Sequence, residues 1–529
     1  MLAVVGLPLF FMELAFGQYA SLGPIAIWSI NPMFKGLGYG MVIASWLISL
    51  YYNVIIAHTL FYLASSFTSE LPWITCNNTW NTDNCLPYEF TLTDEERVNY
   101  TAAHAHNGTM NTPSEEYYKY YVLEQSEHIN EFGSVSWKLA LCLLASWVIV
   151  GICLLRGIQS LGKVWSDAAT QIFYSLSACS GGLIAMSSYN KFNNNCLKDS
   201  LIVAVINCAT SIFAGFVIFS ILGFMAHEKG VEVSKVAAGG PGLAFIVYPE
   251  AIARMPVSPL WAVFFFLMMA TLGFGSQFSI VECVLSALTD EFPRYLRTRK
   301  GSYTFRIAIM ASSFLLGLPM VCKGGIYLLN LVDYSVGGFP LLVVGFLELV
   351  VLNWIYGYDK FSENIEMMIG SKPSIYWHIC WKYVSPITVF VTILCNIILY
   401  KEPTFDDAPY PAWGIVLGWL ISSFPIVVIP AWALYKYCSD GGLQLLKVRM
   451  RPTDDWGPMS QRNNVNIELP VYNKKPEVSH AGFSHLISST STVNTVDTPL
   501  GSTMSVAVLN NPKSTNMLNL YKDAPGNKV

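Results

Sequence analysis

The stretch DAATQIFYSLSACSGGLIAMSSYN, residues 167–190, decides the fold class of this chain. It carries no charge after Asp167, and a helix of this length can cross a hydrocarbon core about 30 Å thick. Its middle nevertheless holds several serines and the pair Gly181-Gly182. The segment therefore combines the length of a membrane span with hydrogen-bonding groups and flexible residues at mid-depth.

Two interpretations of this composition are open. In lipid each unsatisfied backbone group is costly, so a helix can unwind at mid-depth only where it lines a cavity enclosed by protein. The freed carbonyl groups and helix ends of such a break can bind ions and small charged substrates. Alternatively, the small residues mark a tightly packed contact between two intact helices.

The whole chain has the composition of a membrane protein. Of its 529 residues, 53% are hydrophobic and 12% are charged, whereas soluble proteins carry about 25% charged residues. Apolar stretches long enough for helical spans, and too continuous for barrel strands, recur along the chain. They are 1–28, 38–64, 138–155, 168–190, 200–226, 260–288, 304–322, 338–356, 383–400 and 413–437. We therefore predict an all-α polytopic protein with ten spans in contact with membrane lipid, and the net charge of −4 gives no reason to expect a nucleic-acid partner.

The polar segment 66–137 has the features of an extracellular loop. It contains the two cysteines Cys76 and Cys85, which we predict to form a disulfide because extracellular compartments are oxidising. It also contains Asn-X-Thr glycosylation sites. These acceptors are Asn77, Asn99 and Asn107.

The remaining organisation follows from composition. Residues 1–438 form the predicted transmembrane domain, in which 227–259 is a second extracellular loop. Residues 439–529 are rich in Ser, Thr, Asn, Pro and Lys and show no sustained apolar period. This composition predicts a cytoplasmic, largely disordered tail that is available to cytoplasmic binding partners.

Basic residues set the predicted orientation, because short loops that carry them stay in the cytoplasm. The loop 289–303 holds four arginine and lysine residues and is therefore placed inside. Counting forward from it makes 323–337 an outer loop, 357–382 an inner loop and the tail cytoplasmic. The second half of the chain is consistent with this rule.

The first half is inconsistent by one crossing. Counting back from the inner loop places residues 160–167 outside, whereas counting forward from the glycosylated loop places Arg156 and Lys163 inside. The first apolar stretch also starts without a cytoplasmic leader. Either the charge rule fails once or a span is absent near 162–166. Together with the start of the chain, the pattern is that of a larger protein from which the beginning and an internal piece are missing.

Four motifs resemble one known family. They are GLPLFFMELAFGQYASLGPIAIW (6–28), WSDAATQIFYSLSACSGGLIAMSSYNKFNNNC (165–196), GLAFIVYPEAI (242–252) and TDEFPRYLR (289–297). All four are similar to the sodium- and chloride-dependent neurotransmitter transporters, and within that family to the glycine and broad-specificity neutral amino-acid members.

The resemblance implies a fold and an activity. The family fold has twelve helices, two inverted five-helix repeats and discontinuous helices. This chain would then lack the first helix, before Met1, and the fifth, at Lys163–Val164, so that ten of twelve spans remain. The implied activity is symport of a small neutral amino acid, glycine or a broader neutral range, across the plasma membrane with Na⁺ and Cl⁻ as co-transported ions.

The resemblance also places a substrate site. Tyr52 matches a tyrosine whose hydroxyl binds the substrate carboxylate, and Ile48 lies one turn earlier on the pocket wall. Tyr174 matches the aromatic lid over the substrate, whereas Ser177 and Ser180 match pocket positions in the unwound segment. Because the glycine transporters carry Trp where Ser180 stands, we expect a substrate range wider than glycine.

Oxygen ligands for two sodium ions follow from the same resemblance. Ser175 and Asn207 match ligands of the first sodium ion. The second sodium site is matched by the Leu272 carbonyl, Gly275 and Ser276. Many relatives have Asp where Gly275 stands, so this chain lacks that carboxylate ligand.

A chloride site and two gates complete the implied machinery. The outer gate includes Asp333, and the cytoplasmic gate includes Asp290 and Tyr189. The chloride site comprises Gln171, Ser175, Asn207 and Ser211. The chloride-binding tyrosine of the family would precede Met1.

Other functions stay open at this point. Without the first helix, the chain could be a transport-inactive form that assembles with full-length copies in a homo-oligomer. A carrier of another amine-type neurotransmitter, such as GABA or a monoamine, is a further alternative. The spans contain no paired carboxylates, metal-spaced His/Cys set or nucleophile triad, so we do not expect an enzyme.

Overall fold

The computed structural model describes residues 2–88, 111–126, 128–155, 179–229, 242–398, 400, 402–405, 408–439, 450–453 and 456–458. Most of these residues are helical, which confirms the predicted all-α fold class. Within these ranges the only sheet is an antiparallel pair of two-residue strands, β1 (Thr404–Phe405) and β2 (Ala408–Pro409), in which Thr404 is opposite Pro409.

The α-helices vary from single turns to rods of more than thirty residues. In chain order they are α1 (Leu7–Ala20), α2 (Lys35–Ser65), α3 (Pro113–Glu116), α4 (Trp137–Leu155), α5 (Gly182–Ser187), α6 (Cys196–Lys229), α7 (Tyr248–Ala253), α8 (Ser258–Glu291), α9 (Pro293–Leu296), α10 (Arg299–Gly317), α11 (Gly325–Val336), α12 (Phe339–Val350), α13 (Tyr358–Ile369), α14 (Ile375–Ile379), α15 (Ser385–Ile398) and α16 (Ala412–Ser439). Shorter π-helical turns are Leu2–Gly6, Tyr117–Val122, Leu243–Val247, Val351–Gly357 and Cys380–Val384. The 3₁₀ turns are Ala26–Ile30, Pro32–Phe34 and Leu318–Val321.

Nine helical stretches in the described part of the chain are long and apolar enough to cross a membrane. They correspond to nine of the ten predicted spans. The tenth, 168–190, lies mainly outside the described residues. The polytopic character of the fold is therefore confirmed by length and composition.

The first span is shorter than the apolar stretch 1–28 suggested. Helix α1 ends at Ala20, and Ser21 adopts a left-handed conformation with φ of 47°. Its backbone N–H donates to the Gly17 carbonyl at 2.9 Å, which satisfies one of the last free carbonyls of the helix. Pro24 follows within one turn, so the chain continues as a 3₁₀ turn rather than as a span.

The predicted connections 323–337 and 357–382 are largely helical. Helix α11 occupies most of the first and α13 begins the second. In α13 the apolar side chains of Phe361, Ile365 and Met368 are buried on one face, while its other residues are largely polar. A search for continuous apolar runs does not detect such an amphipathic helix, although its 3.6-residue period is present in the sequence.

Two clusters of buried apolar side chains stabilise the described helices. The first core joins α2, α4, α8, α10 and α11, with Tyr62, Trp73 and Phe266 among its largest members. The second core joins α1, α5, α12 and α13, with Phe11 and Trp381 at its centre. Fully burying one large apolar side chain contributes about 1.5–3 kcal/mol, so both cores are substantial.

Helix α2 is shared between the two cores. Its Leu37 and Met41 belong to the second core. Its Ile48 and Tyr51, further along the same helix, belong to the first core. This helix therefore fixes the position of one cluster relative to the other.

The segment 66–137 contains the predicted covalent link. Cys76 and Cys85 form a disulfide, with their Cα atoms 5.8 Å apart. Asn77 beside it is exposed, as a glycan acceptor must be. Asn99 and Asn107 lie outside the described residues.

The sidedness of the chain stays a prediction. We continue to predict that 66–137 and 227–259 lie outside the cell and that 439–529 lies in the cytoplasm. The helix α6 extends to Lys229, and the short helix α7 lies within the second of these loops.

Candidate substrate and ion site

The first described residues of the segment 167–190 are not helical. Cys179 and Gly181 have φ values of 67° and 77°, in the left-handed region, and α5 begins only at Gly182. Left-handed conformations are disfavoured for residues with a side chain, so this backbone is held by its surroundings. A Cβ atom on Gly181 would also lie 2.9 Å from Cβ of Pro24. The three residues Cys179–Gly181, here called the loop before α5, thus form a non-helical turn that leads into α5.

Two helices hold the loop before α5 through one carbonyl group. The Ser45 hydroxyl on α2 donates to the Ser180 carbonyl at 2.7 Å, and the Cys283 thiol on α8 donates to it at 3.7 Å. The Ser180 hydroxyl itself accepts from the Gly182 N–H at 3.4 Å. Ser180, a predicted substrate residue, is therefore fixed between α2 and α8 and is half-buried.

One face of α2 carries two more predicted substrate residues, Ile48 and Tyr52, together with Ser45. Ser45, Ile48 and Tyr52 are spaced so that they lie on the same side of a helix. Ile48 is buried and Tyr52 is half-buried. The Tyr52 side chain lies beside Ser276 on α8 and interacts with it electrostatically. The structure therefore brings a predicted substrate residue next to a predicted sodium ligand.

The predicted second sodium site lies within α8. Gly275 is buried, whereas Leu272 and Ser276 are half-buried. Next to them, the buried Gln277 side chain donates to the Ser49 carbonyl of α2 at 2.9 Å. A helical carbonyl such as that of Leu272 keeps a second lone pair, which can serve as a ligand for a cation.

Of the other predicted ion-binding residues, the structure describes those on α6. On α6, Asn207 is buried and Ser211, one turn later, is exposed. Gln171, Tyr174, Ser175 and Ser177 lie outside the described residues. The first sodium site and the chloride site consequently stay predictions.

A buried ion pair adjoins the predicted cytoplasmic gate. The Tyr189 hydroxyl donates to Glu282 of α8 at 3.4 Å. Arg306 of α10 lies 3.6 Å from the other oxygen of Glu282, and the Glu282 side chain is only 2% exposed. Arg306 also donates to the Leu154 carbonyl at 2.7 Å, which joins α4 to the same network.

Asp290 lies two turns further along α8. One of its oxygens accepts from the Gly23 N–H at 2.9 Å, and the other pairs with Arg297 at 3.1 Å. The neighbouring Glu291 pairs with Lys35 at 2.6 Å. Both acidic residues thus fasten the end of α8 to the chain around the start of α2. Asp333, the predicted outer gate residue, is half-buried on α11.

Sequence reasoning missed several members of these networks. Ser45 is one turn before Ile48 on the same helical face, and that spacing could have indicated that Ser45 lies at the site. Glu282 was visible as a carboxylate in an apolar span, but its partner Arg306 is separated from it by 24 positions and a loop. No sequence pattern links Cys283 to the Ser180 carbonyl.

The membrane-length helices, and the non-helical turn whose carbonyl group is held between two of them, are features of a membrane transporter. The chain belongs to the sodium:neurotransmitter symporter family, whose model matches residues 1–164 and 161–440. The two matched stretches meet at 161–164, where an internal piece was predicted to be missing. The predicted family is therefore confirmed, and the protein is a multi-pass plasma-membrane protein.

Several curated relatives are similar over most of the chain. The sodium- and chloride-dependent glycine transporter 1 of Xenopus laevis is 41% identical over 520 residues, which cover 88% of this chain and 82% of the relative. The sodium- and chloride-dependent neutral and basic amino acid transporter B(0+) of Mus musculus is 40% identical over 532 residues, covering 88% and 83%. The sodium- and chloride-dependent glycine transporter 2 of Xenopus laevis is 41% identical over 530 residues, covering 87% and 66%.

Proposed function

We propose that this protein carries a small neutral amino acid across the plasma membrane by symport with Na⁺ and Cl⁻. The observation that best supports this function is the contact between Tyr52 and Ser276 beside the fixed Ser180 carbonyl. It brings a group suited to a substrate carboxylate next to oxygen atoms suited to sodium. The names of the relatives at about 40% identity support the same substrate class and the same ions.

The proposed mechanism is electrostatic coupling. A sodium ion takes oxygen ligands, which hydroxyl, amide and carbonyl groups supply. A cation beside a substrate carboxylate strengthens the binding of both, because charges interact strongly where water is excluded. Chloride then offsets the added positive charge. If the loaded state favours a closed outer gate, binding drives alternating access.

The roles of individual residues are part of this proposal. Tyr52 binds the carboxylate, and Ile48 and Ser180 shape the pocket. Asn207 contributes to the first sodium and chloride sites, and Ser276 to the second sodium site. The half-buried Ser180, smaller than tryptophan, favours a range of neutral amino acids over glycine alone.

A second candidate is a transport-inactive form that assembles with full-length copies. The two-part family match that meets at 161–164 favours this alternative, because a missing span would remove ion or substrate ligands. A carrier of GABA or a monoamine is a further candidate within the family. In each case we propose transport or assembly in lipid without catalysis, with the tail open to cytoplasmic partners.

Ion-replacement uptake tests the function. The full chain is reconstituted in proteoliposomes with inward gradients of sodium and chloride. Radiolabelled glycine or alanine is then added outside the vesicles. We expect accumulation that is lost when choline replaces sodium or gluconate replaces chloride. No uptake by this chain, combined with altered uptake by a co-expressed full-length family member, would instead support the assembly role.

A further inference from the structure

Two buried glutamates face each other away from the residues assigned to substrate and ions. Glu13 lies on α1 and Glu348 on α12, and neither is exposed at all. One carboxylate oxygen of each and the Cys179 sulfur lie within 4.8 Å of one another. The two side chains therefore meet at the loop before α5.

Most of their oxygen atoms have no hydrogen-bond partner among the described residues. One oxygen of Glu13 accepts from the Cys179 N–H. Its other oxygen and both oxygens of Glu348 are buried and have no partner in the part of the chain that the structure describes. A buried carboxylate without a partner is very unfavourable, and two of them side by side are more so.

No positive charge compensates for this pair in the described part of the chain. The titratable groups that face it are the thiols of Cys179 and Cys283. The charged residues on the described helices against α1 form neither a hydrogen bond nor an ion pair with either carboxyl group. These residues are Lys198, Asp199, Asp359, Lys360, Glu363, Glu366 and, on the π-helical turn Cys380–Val384 that contacts both α1 and α12, Lys382.

We propose that Glu13 and Glu348 form a proton-binding site in which one proton is shared between the two carboxyl groups. A protonated Glu348 donates its O–H to the free oxygen of Glu13 and removes one of the two negative charges. The pair then titrates as a unit rather than as two separate groups. This inference depends on neither the substrate nor the ion assignments.

The shared proton also bears on the loop before α5. Glu13 holds the Cys179 N–H, and Gly345, one turn from Glu348 on α12, lies so close to Cys179 that a Cβ atom there would be 2.4 Å from the sulfur. When the proton leaves for bulk water, the pair carries two like charges and repels. The repulsion acts on the two helices that hold Cys179, and hence on the residue next to Ser180.

Infrared spectroscopy of the purified full chain in detergent tests the site. We expect the wild-type protein to show the C=O band of a protonated carboxyl group that is lost as the pH rises. Glu348→Gln should remove this band, whereas Glu348→Asp should shift it. Glu363→Gln, which changes an exposed carboxyl group on α13, is the matched control and should leave it unchanged.

Thermal unfolding provides an independent measurement. The folded protein holds the proton more tightly than the unfolded chain, so stability should fall as the pH rises. Glu348→Gln should flatten this dependence, and Glu13→Gln serves as the second variant if the first does not fold. The proposal is overturned if the wild-type protein shows no such band, or if both variants retain it. It is also overturned if Zn²⁺ stabilises the wild-type protein and not Glu348→Gln, because a metal would need both groups ionised.

Discussion

The side chain of Tyr52 on α2 lies beside that of Ser276 on α8. This contact connects two long helices at the level where α2 also holds the loop before α5 through Ser45. In a sodium-coupled carrier, such a contact lets occupancy of an ion site on one helix influence a substrate group on the other.

Replacing Tyr52 by Phe removes the hydroxyl and keeps the ring. We expect Tyr52→Phe to abolish uptake at low substrate concentration, because losing a hydrogen bond to a charged group costs about 1.5–3 kcal/mol, or about 10- to 100-fold in affinity. Uptake kinetics measure the effect, and Tyr303→Phe, at an exposed tyrosine of α10, is the control. Unchanged uptake by Tyr52→Phe would reject the assigned role.

A larger residue at position 180 should narrow the range of substrates. Ser180→Trp fills space beside the loop before α5, so we expect transport restricted towards glycine. Competition by neutral amino acids of increasing size measures the change. Ser180→Ala removes the hydroxyl without adding volume and should keep the original profile; an identical profile for Ser180→Trp would argue against a pocket position.

The Glu282–Arg306 pair should contribute strongly to stability. Arg306→Met leaves a carboxylate that is 2% exposed without its partner, and breaking a buried pair in this way costs about 3–5 kcal/mol. Arg297→Met, at an arginine that is 65% exposed and pairs with Asp290, should cost about 0–1 kcal/mol. Thermal unfolding in detergent compares the two variants, and equal effects would contradict a buried pair.

The contact between α1 and α5 requires a glycine. A Cβ atom on Gly17 would lie 2.0 Å from the Ser187 hydroxyl oxygen and 2.4 Å from the Ile184 carbonyl oxygen. We expect Gly17→Ala to destabilise the protein by about 1–3 kcal/mol through overpacking. Gly215→Ala on α6 meets nothing within 4 Å and should be neutral or stabilising by up to about 1 kcal/mol. A melting temperature of Gly17→Ala equal to or above that of Gly215→Ala would contradict the close approach of α1 and α5.

The disulfide should be detectable directly. Peptide mapping under non-reducing conditions is expected to recover Cys76 linked to Cys85. Removing the bridge by the double substitution to serine should cost roughly 2–4 kcal/mol, since a cross-link limits the unfolded chain. Free thiols at both positions would contradict the structure.

Much of the fold was predictable because lipid imposes one simple rule on the sequence. Continuous apolar runs gave nine spans that the described residues contain. Helix α13 was missed because its apolar residues recur with a period instead of forming a run. Its buried face contacts the second core, and only packing distinguishes it from a polar loop.

The site was less predictable than the fold. The family resemblance predicted Tyr52, Ser180 and Ser276 as site residues, and the structure brings the two helices and the loop that carry them together. The partners that hold them, such as Ser45 and Cys283, depend on how distant helices cross. A single sequence contains no signal for contacts between residues more than a hundred positions apart.

Helix α2 has a mechanical consequence. Its Leu37 and Met41 are anchored in one core and its Ile48 in the other, and Ser45 lies between them. If the two cores tilt relative to each other, α2 bends mainly in the short segment around Ser45. The Ser180 carbonyl is hydrogen-bonded to Ser45 at that bend, where the displacement is smallest. The bound substrate would therefore stay nearly stationary while the surrounding helices move.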